Sequence, residues 1–527
     1  MTTPSQRTHR LEVHDADEVD APTRQQIQAY AAKCGMQLAT EDIDEIGAQV
    51  TEFLGFMSFE ELGKLAAPPT PADTSNRDPG RRPSAEDDPN NSIIRFCHVP
   101  ATGTGLLDGV LIGVKDSLAV AGVPLTGGHK AQDTVPTEDA TVVERILAAG
   151  ATIVAKTNLN MASSEFGSTK NPLDPRFSAG ASSGGSAAAV AAGLVDMALG
   201  SDSGGSIRDP AARCGIVGLK PTHGLVPGYG STYTSDPSMG CIGPMTKTMA
   251  DNARLLQVLA GPELRERHGA HGEPSEVGLL SAADQGIDGL RIGVITESVE
   301  PAGCTPAALK AFDQAHQTLT SLGAVVEQVS VPLWCESARI WSTCYIASIA
   351  TMASSFGQGY HAPGLVNIES LSAAAHTYFR GSLQYSFLGL ALPFVYEHLR
   401  ETRLGIPFGH AQNLRLELCH QVDDALRETD LLISPTLPTD PTELPSPTPG
   451  MESRKRWWPT SAINHGHEMI NTTPANLTGH PALTMPSFPG SRDLPTGLHI
   501  IGRKFDEYSI YRLGFAYEHA IAAKAIT

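Results

Sequence analysis

Two short clusters of glycine and serine carry the residue types that covalent catalysis needs. The first is residues 180–186, GASSGGS, and the second is residues 202–206, DSGGS. Glycine allows positive φ and a close approach of the backbone, so such clusters suit turns that point N–H groups at an anion. A serine hydroxyl in such a turn becomes a nucleophile when a base lies within hydrogen-bond reach. The two clusters therefore predict most of a serine-hydrolase active site.

The elements around these clusters must position the serines and supply the base. The alanine-rich run between the clusters predicts a buried helix. Lys115 directly follows the strand-like run 106–114, at a strand end, where α/β enzymes place functional groups. A helix over 140–149 and a short strand over 152–155 come next. This alternation predicts an α/β layered domain with a largely parallel sheet.

Composition narrows the class of protein. The 527 residues carry a formal net charge of −19, which argues against a chain that binds nucleic acid. The eight cysteines are scattered and form no metal-binding spacing, so we expect free thiols in a reducing compartment. No run approaches the roughly 18 apolar residues of a membrane span, and the first residues lack the apolar run of a signal peptide. We therefore expect a soluble cytoplasmic protein.

The sequence predicts three regions along the chain. Residues 1–66 are expected to form a small helical domain, of which about the first 20 residues are mobile. Residues 67–92 are rich in proline and aspartate and are predicted to be a linker. Residues 93–527 are predicted to form the catalytic domain. The helical domain carries an apolar stripe that must pack either on the main body or on a second subunit, and the latter suggests a homodimer.

The glycine-serine clusters partly match three known sequence motifs, but none of the three fits the surrounding sequence. Residues 180–184 match the G-x-S-x-G nucleophile elbow, but a proline-broken loop precedes them where the elbow needs a strand. Residues 202–205, DSGG, copy the serine motif of chymotrypsin-like proteases, which are double β-barrels, whereas this region is predicted to be helical. Neither cluster ends in the Gly-Lys-Ser/Thr of a phosphate-binding loop. Tight turns around a close-packed helix are the structural alternative.

Taken in order, the motifs resemble the amidase signature family over roughly residues 93–525. The resemblance implies an α/β fold of the α/β/α layered amidase-signature type, with a central twisted mixed sheet. The helical region before the linker is similar to that of Rhodococcus-type amidases. The matching runs are 113–116 (GVKD), 180–186, 200–210 (GSDSGGSIRDP), 214–224 (CGIVGLKPTHG), 243–246 (GPMT), 473–486 (TPANLTGHPALTMP) and 494–507 (LPTGLHIIGRKFDE).

The resemblance implies a Ser-Ser-Lys triad. The nucleophile follows two glycines and precedes Ile-Arg, which makes it Ser206. The bridging serine, held by a cis peptide bond in the family, is Ser182, and the lysine that closes the G-V-K-D run is Lys115. One departure is Ala181, where many members carry a second glycine, so the turn is expected to differ slightly.

These residue types suit acyl transfer. A lysine buried without a carboxylate partner favours its neutral form and can act as a base. Ser182 would relay the proton from Ser206 to Lys115 and later deliver one to the leaving nitrogen. The backbone N–H groups of Ser203, Gly204, Gly205 and Ser206 are expected to form the oxyanion hole, in which one donor contributes about 3 kcal/mol in other systems. This chemistry needs no metal and no cofactor.

Smaller roles are assigned to the residues nearby. Asp202 and Arg208 are expected to pair behind the loop and, with Ser183, to support the site. Met161 and Cys241 are expected in the substrate pocket. His129 and His223 offer an alternative base, although a lone histidine is more often only hydrogen-bonded.

The sequence thus predicts an amidohydrolase for small amides, with esters and carbamates (urethanes) as further substrates. No nucleic acid and no membrane are expected among its partners. Two alternatives stay open: the glutaminase (A) subunit of a tRNA-dependent amidotransferase, and a catalytically silent binding protein on the same scaffold.

Overall fold

The computed structural model describes residues 21–57, 70–128, 134–160, 164–231, 238–265, 278–354, 387–444, 467–488 and 493–526. Residues 1–20, predicted to be mobile, and Met161 lie outside these ranges. The chain divides into two compact units, residues 1–70 and 71–527.

The described residues of the first unit contain two helices, α1 (Arg24–Lys33) and α2 (Thr40–Met57). Thr23 begins α1 with a reciprocal cap, because its hydroxyl accepts from Gln26 N–H and its own N–H donates to the Gln26 side chain. Ile27 and Ile43 are buried, whereas Phe53 and Phe56 on α2 are exposed. The predicted helical region is thus helical in its described part. The homodimer remains a prediction.

The second unit contains fourteen strands in its described residues. The strands are β1 (Asp78–Arg81), β2 (Ile93–Val99), β3 (Leu111–Lys115), β4 (Thr152–Thr157), β5 (Lys170–Asn171), β6 (Asp174–Ser178), β7 (Met197–Asp202), β8 (Val217–Lys220), β9 (Cys241–Thr246), β10 (Arg291–Ile295), β11 (Val325–Val329), β12 (Leu431–Pro435), β13 (Ala482–Met485) and β14 (Leu498–Ile501).

Helices connect these strands. They are α3 (Thr141–Ala148), α4 (Gly184–Ala191), α5 (Arg208–Cys214), α6 (Met249–Leu259), α7 (Pro306–Ser321), α8 (Ser337–Ser354), α9 (Phe387–Arg403), α10 (Ile406–Glu428), α11 (Thr473–Thr478) and α12 (Glu507–Ile526). Three short 3-10 turns cover Leu279–Asp284, Thr296–Ser298 and Trp334–Glu336.

Twelve of the strands form one mixed sheet in the order β1-β2-β4-β3-β7-β9-β8-β13-β14-β12-β10-β11. The pairs β3–β4, β3–β7, β10–β11 and β10–β12 are parallel, and the other neighbours are antiparallel. The mixed sheet of the predicted α/β fold is confirmed. The expectation of a largely parallel sheet is wrong, because only these four pairs are parallel; β3–β4 and β10–β11 are the ones joined by single helical crossovers, α3 and α7.

Helices cover both faces of this sheet. Met197 and Leu199 of β7 pack in one buried cluster with α3 and α6, whereas Ala198 between them packs in another with α4 and α5. Successive side chains of a strand point to opposite faces, so β7 is buried on both sides. This position places the end of β7 deep in the protein, where the second glycine-serine cluster begins.

Two sequence predictions differ from the structure in their boundaries. The run 106–114 was expected to be one strand, but β3 begins at Leu111, because a turn with Gly109 at φ +77° precedes it. In the predicted linker, β1 pairs with His98 and Phe96 of β2 at the sheet edge. No helix within the described ranges is long and apolar enough to cross a bilayer.

Candidate active site

Lys115 ends strand β3 and lies at the centre of a group of serines. Its side chain is buried, with 1% of the residue exposed. The Nζ atom is 2.7 Å from Ser182 Oγ, 3.0 Å from Ser183 Oγ and 2.9 Å from Ser201 Oγ. The structure therefore brings together the lysine and the first serine that the sequence singled out, although 67 positions separate them.

Burial decides the charge of this lysine. Removal from water lowers the pKa of Lys115 to about 7, and the charge of Asp202 opposes that shift only in part. The neighbouring Asp116 does not restore the charge, because its carboxylate lies 3.4 Å from Lys156 Nζ and accepts from Thr126 N–H at 3.0 Å. Near neutral pH a large fraction of Lys115 is therefore an uncharged amine, which can accept a proton.

The hydrogen bonds around Lys115 direct its lone pair. The Ser183 hydroxyl donates its proton to Ser201 O at 3.0 Å, so Ser183 Oγ must accept from the lysine. The oxygens of Ser201 accept the second N–H of a neutral amine. In the neutral amine this leaves the lone pair for Ser182, whose hydroxyl can then donate to Nζ across the 2.7 Å contact.

The turn that carries Ser182 depends on Gly180. Its φ is +104°, and an added Cβ would lie 2.3 Å from Asp209 Oδ1. Ala181 has an ordinary negative φ, and its N–H donates to Asp209 Oδ1 at 2.8 Å. The second glycine of the family is therefore not needed here. No peptide bond among the described residues is cis, so the cis bond expected at Ser182 is wrong for this structure, which has the ordinary trans form.

Asp202 holds the loop that carries Ser206. Its carboxylate accepts from Gly205 N–H at 2.7 Å and from Ile207 N–H at 3.1 Å. The N–H of Gly205 is thus already bound and cannot receive an oxyanion, which corrects the sequence prediction for this donor. The N–H groups of Ser203, Gly204 and Ser206 have no hydrogen-bond partner among the described residues.

Arg208 lies behind this loop and is fully buried. It contacts both oxygens of Asp202 at 3.0 Å and donates to Asn476 Oδ1 at 2.7 Å. Burial opposes ionisation of Asp202, but Arg208 and Asn476 hold the pKa of its carboxyl below the ordinary value. His499 contacts Arg208 at 3.0 Å, and burial together with the arginine charge lowers the pKa of this imidazole. The predicted pairing of Asp202 with Arg208 is therefore present.

Ser206 is half-buried, and its Oγ makes no hydrogen bond to any described residue. Its carbonyl oxygen accepts from Ser183 N–H at 3.2 Å, which joins the two glycine-serine turns. No described histidine is hydrogen-bonded to Ser182 or Ser206, and His129 lies outside the described residues. Lys115 is thus the titratable side chain that the structure places against the turn of Ser182.

Cys241 lies opposite Asp202 in the sheet register, and its Sγ is 3.8 Å from Lys220 Nζ. Burial raises the pKa of this thiol. The thiol is therefore part of a buried wall behind the loop, and its predicted contact with substrate stays a prediction, as does that of Met161. No group of three or more His, Cys, Asp or Glu side chains in the described part of the chain is placed to hold a metal ion.

Sequence reasoning missed several residues of this site. Ser201 contacts Lys115, and the only signal for it was its place beside Asp202 in the second cluster. Trp341 Nε1 donates to Ser203 O at 2.6 Å, and Thr472 Oγ1 donates to Gly204 O at 2.7 Å. Asn476 lay within a recognised family run but had no assigned role. Trp341 lies in a stretch whose aromatic residues were expected near the acyl pocket, but it belongs to no family run and nothing singled it out.

Comparisons with known proteins agree with the family resemblance found in the sequence. The profile of the family described as Amidase matches residues 98–511. The glutamyl-tRNA(Gln) amidotransferase A subunit of Natronomonas pharaonis is 37% identical over 81% of this chain and 99% of its own length. The crystal structure of the protein of that name from Thermotoga maritima has a TM-score of 0.64 and 30% identity, over 82% of this chain and 88% of its own. Peptide amidase from Stenotrophomonas maltophilia has a TM-score of 0.60 and 26% identity, over 79% and 83%.

These relatives overturn one expectation. Nucleic acid was excluded from the partners on the ground of net charge, yet the names of the relatives tie them to a multi-chain enzyme of glutamyl-tRNA(Gln). The physical reason is that the net charge of a chain bears only on its own contacts with phosphate. It does not report on what an assembly containing that chain would bind.

Proposed function

The chain belongs to the amidase family, and we propose that it cleaves a carboxylic amide C–N bond through an acyl intermediate on Ser206. The observation that carries this proposal is the buried Lys115, with its Nζ 2.7 Å from Ser182 Oγ. Ser183 joins the turn of Ser182 to Ser206. A buried base, a bridging hydroxyl and a nearby serine beside three unpartnered N–H groups are the parts that acyl transfer requires.

The proposed reaction starts with proton transfer. Lys115 takes the proton of Ser182 while Ser182 takes that of Ser206, and Ser206 Oγ attacks the carbonyl carbon. The N–H groups of Ser203, Gly204 and Ser206 receive the negative oxygen. The C–N bond then breaks as Ser182 delivers a proton to the leaving nitrogen. Water, activated by the same relay, hydrolyses the acyl ester and restores Ser206. Esters and carbamates are included, because the same attack serves them.

A second candidate is favoured by the relatives named above. In it, the amide is that of glutamine, and the chain supplies ammonia as the A subunit of a glutamyl-tRNA(Gln) amidotransferase. The support is 37% identity to a protein of that name over 99% of its length. A silent binding protein has no comparable support, since the contact between Lys115 and Ser182 is intact.

The test measures ammonia or amine release from glutamine, benzamide, propionamide, 4-nitroacetanilide and ethyl N-phenylcarbamate. We expect the wild type to cleave at least one of them, and Ser206→Ala and Lys115→Ala to lose at least about 1000-fold in kcat, as removal of a nucleophile or its base does elsewhere. Lys170→Ala is the matched control, because Lys170 is exposed and lies in the β5–β6 hairpin, where it pairs with Ser178 and not with the residues around Lys115.

Each outcome has a separate meaning. Glutamine as the best substrate supports the amidotransferase role, and another amide as the best substrate supports a stand-alone amidase. Activity of Lys115→Ala equal to that of Lys170→Ala would show that the base is another residue. A wild type inactive on the whole panel, and unreactive with phenylmethylsulfonyl fluoride, would refute the proposed hydrolase.

A further inference from the structure

We propose that Trp341 is a positioning residue that fixes the Gly204 N–H as a donor of the oxyanion hole. The inference rests on the function proposed above and adds a residue outside every recognised motif. Trp341 lies in α8, and its indole N–H donates to Ser203 O at 2.6 Å. This is the bond that carries the argument.

The planarity of the peptide bond connects the indole to the N–H of Gly204. Ser203 C=O and Gly204 N–H belong to one trans peptide unit, so they point in opposite directions. When Trp341 holds the oxygen, the N–H points away from the indole. The Gly204 N–H has no partner among the described residues, so it is free to receive a negative oxygen.

The same arrangement recurs in the neighbouring peptide units. Asn476 Nδ2 donates to Asp202 O at 3.1 Å, which directs the unpartnered N–H of Ser203. Asp209 N–H donates to Gly205 O at 2.7 Å, which directs the unpartnered N–H of Ser206. Each of the three unpartnered N–H groups therefore belongs to a peptide unit whose carbonyl oxygen accepts a hydrogen bond.

The peptide unit between Gly204 and Gly205 is the contrast. Its oxygen accepts from Thr472 Oγ1 at 2.7 Å, and its N–H donates to Asp202 Oδ1 at 2.7 Å. Both ends are bound, so this unit is a support and supplies no donor. Trp341, Asn476 and Asp209 donate to the carbonyl oxygens of the three peptide units with unpartnered N–H groups. Of these three residues, Trp341 is the one whose hydrogen bond to the loop can be removed alone. Asn476 also contacts Asp202 and Arg208 side chains, and Asp209 acts through its backbone.

Packing keeps the indole in place. Tyr345 stacks on Trp341 with ring centroids 4.5 Å apart and an angle of 15° between the rings. A Cβ on Gly204 would lie 2.8 Å from Trp341 Cε2 and 2.5 Å from Met469 Cε. Only glycine therefore allows the indole to approach Ser203 O so closely.

The consequence concerns the transition state. Without the indole N–H, the Ser203–Gly204 peptide can rotate, and the Gly204 N–H is no longer held toward the oxyanion. Loss of one such donor elsewhere costs about 100- to 1000-fold in kcat. Loss of its orientation should cost part of this, so we expect a fall in kcat of about 10- to 100-fold. KM should change less than about twofold, because the amide carbonyl of the ground state carries little charge.

The test is Trp341→Phe, which keeps an aromatic ring and removes the indole N–H. Trp334→Phe is the matched control, because Trp334 is likewise an indole donor, but its N–H bonds Asn471 Oδ1 at 2.9 Å and not an atom of the loop 203–206. Both variants are assayed with the best amide of the panel at a temperature where both remain folded by circular dichroism. A trifluoromethyl ketone of the same acyl group, which forms an anionic adduct with serine, is then measured as an inhibitor.

We expect Trp341→Phe to lose kcat and affinity for the trifluoromethyl ketone by the same factor, and Trp334→Phe to keep both within about twofold. Equal losses in the two variants, or an unchanged kcat in Trp341→Phe, would overturn the inference while leaving amide hydrolysis by the wild type intact. A crystal structure of Trp341→Phe tests it without turnover. An unchanged orientation of the Ser203–Gly204 peptide would overturn the inference even if no substrate is found.

Discussion

Three lysines are buried among the described residues, Lys115, Lys156 and Lys220, and their surroundings differ. Lys156 has the carboxylate of Asp116 at 3.4 Å. Lys220 donates to Pro221 O at 2.8 Å and lies beside Cys241. Lys115 alone among them meets serine hydroxyls, at 2.7 to 3.0 Å. Burial lowers the pKa of all three, but only Lys115 lies beside serine hydroxyls from which it could take a proton, as the proposed mechanism requires.

The pH dependence of catalysis should follow Lys115. Its neutral form is the base, and this form is lost as the pH falls through about 7. We expect log kcat/KM for a neutral amide such as benzamide to fall by one unit per pH unit below about pH 7 and to be level above it. If log kcat/KM instead begins to fall near pH 10, the ordinary pKa range of lysine, then burial does not lower the pKa of this residue. The measurement is a profile from pH 5 to 10 at constant ionic strength, restricted to pH values at which the protein stays folded.

At the scale of elements, glycine sets how closely α4 approaches the strands beneath it. Gly185 is in the first turn of α4, and an added Cβ would lie 2.3 Å from Asn158 O and 2.6 Å from Ser92 O. Both contacts are with backbone atoms, which cannot rotate away. The start of α4, and with it the turn of Ser182, therefore depends on the missing side chain.

Gly185→Ala should destabilise the protein, because the helix start must move away from residues 92 and 158. We expect a loss of about 2–4 kcal/mol in the free energy of unfolding, in the range of overpacked cores and strained sites. Gly409→Ala is the control, since Gly409 lies in α10 with nothing within 4 Å of the added Cβ, and alanine there should be neutral or stabilising by up to about 1 kcal/mol. Thermal denaturation of both variants decides, and an equal Tm would contradict the packing argument.

At the scale of the whole molecule, Arg208 joins parts of the chain that are distant in sequence. Its guanidinium contacts Asp202 six positions away, Asn476 of α11 and His499 of β14, which are 268 and 291 positions away. The active-site loop is thereby fixed to the C-terminal part of the sheet. The side chains of Arg208 and Asp202 are both fully buried.

Arg208→Met should be strongly destabilising, because it leaves the Asp202 charge buried and unpaired. Removal of one partner of a buried ion pair costs about 3–5 kcal/mol. Arg176→Met is the control, because the Arg176–Asp174 pair is exposed and such pairs contribute about 0–1 kcal/mol. The comparison is made by urea denaturation at pH 7. A urea midpoint for Arg208→Met equal to that of Arg176→Met would refute the structural role of the pair.

The sequence by itself determined the features that depend on neighbours along the chain. The family runs predicted the α/β fold and pointed to Lys115, Ser182 and Ser206. The alanine-rich run predicted α4, and the pairing of Asp202 with Arg208 was expected, since these residues are six positions apart in one loop. Glycine-rich turns and short-range hydrogen bonds follow local rules, so their residues can be recognised from the sequence.

Only the tertiary structure showed which side chains contact these turns and how the turns themselves are arranged. It placed Ser201 against Lys115, Trp341 on Ser203 O and Asn476 on Arg208. It also showed that Asp202 occupies the N–H of Gly205, and that the peptide bonds of the first turn are trans. The physical reason is that the contacts of Trp341 and Asn476 depend on the packing of α8 and α11 against the loop, and that of Ser201 depends on the pairing of β3 with β7. Partners that are 86 to 268 positions apart leave no periodic signal in a single sequence.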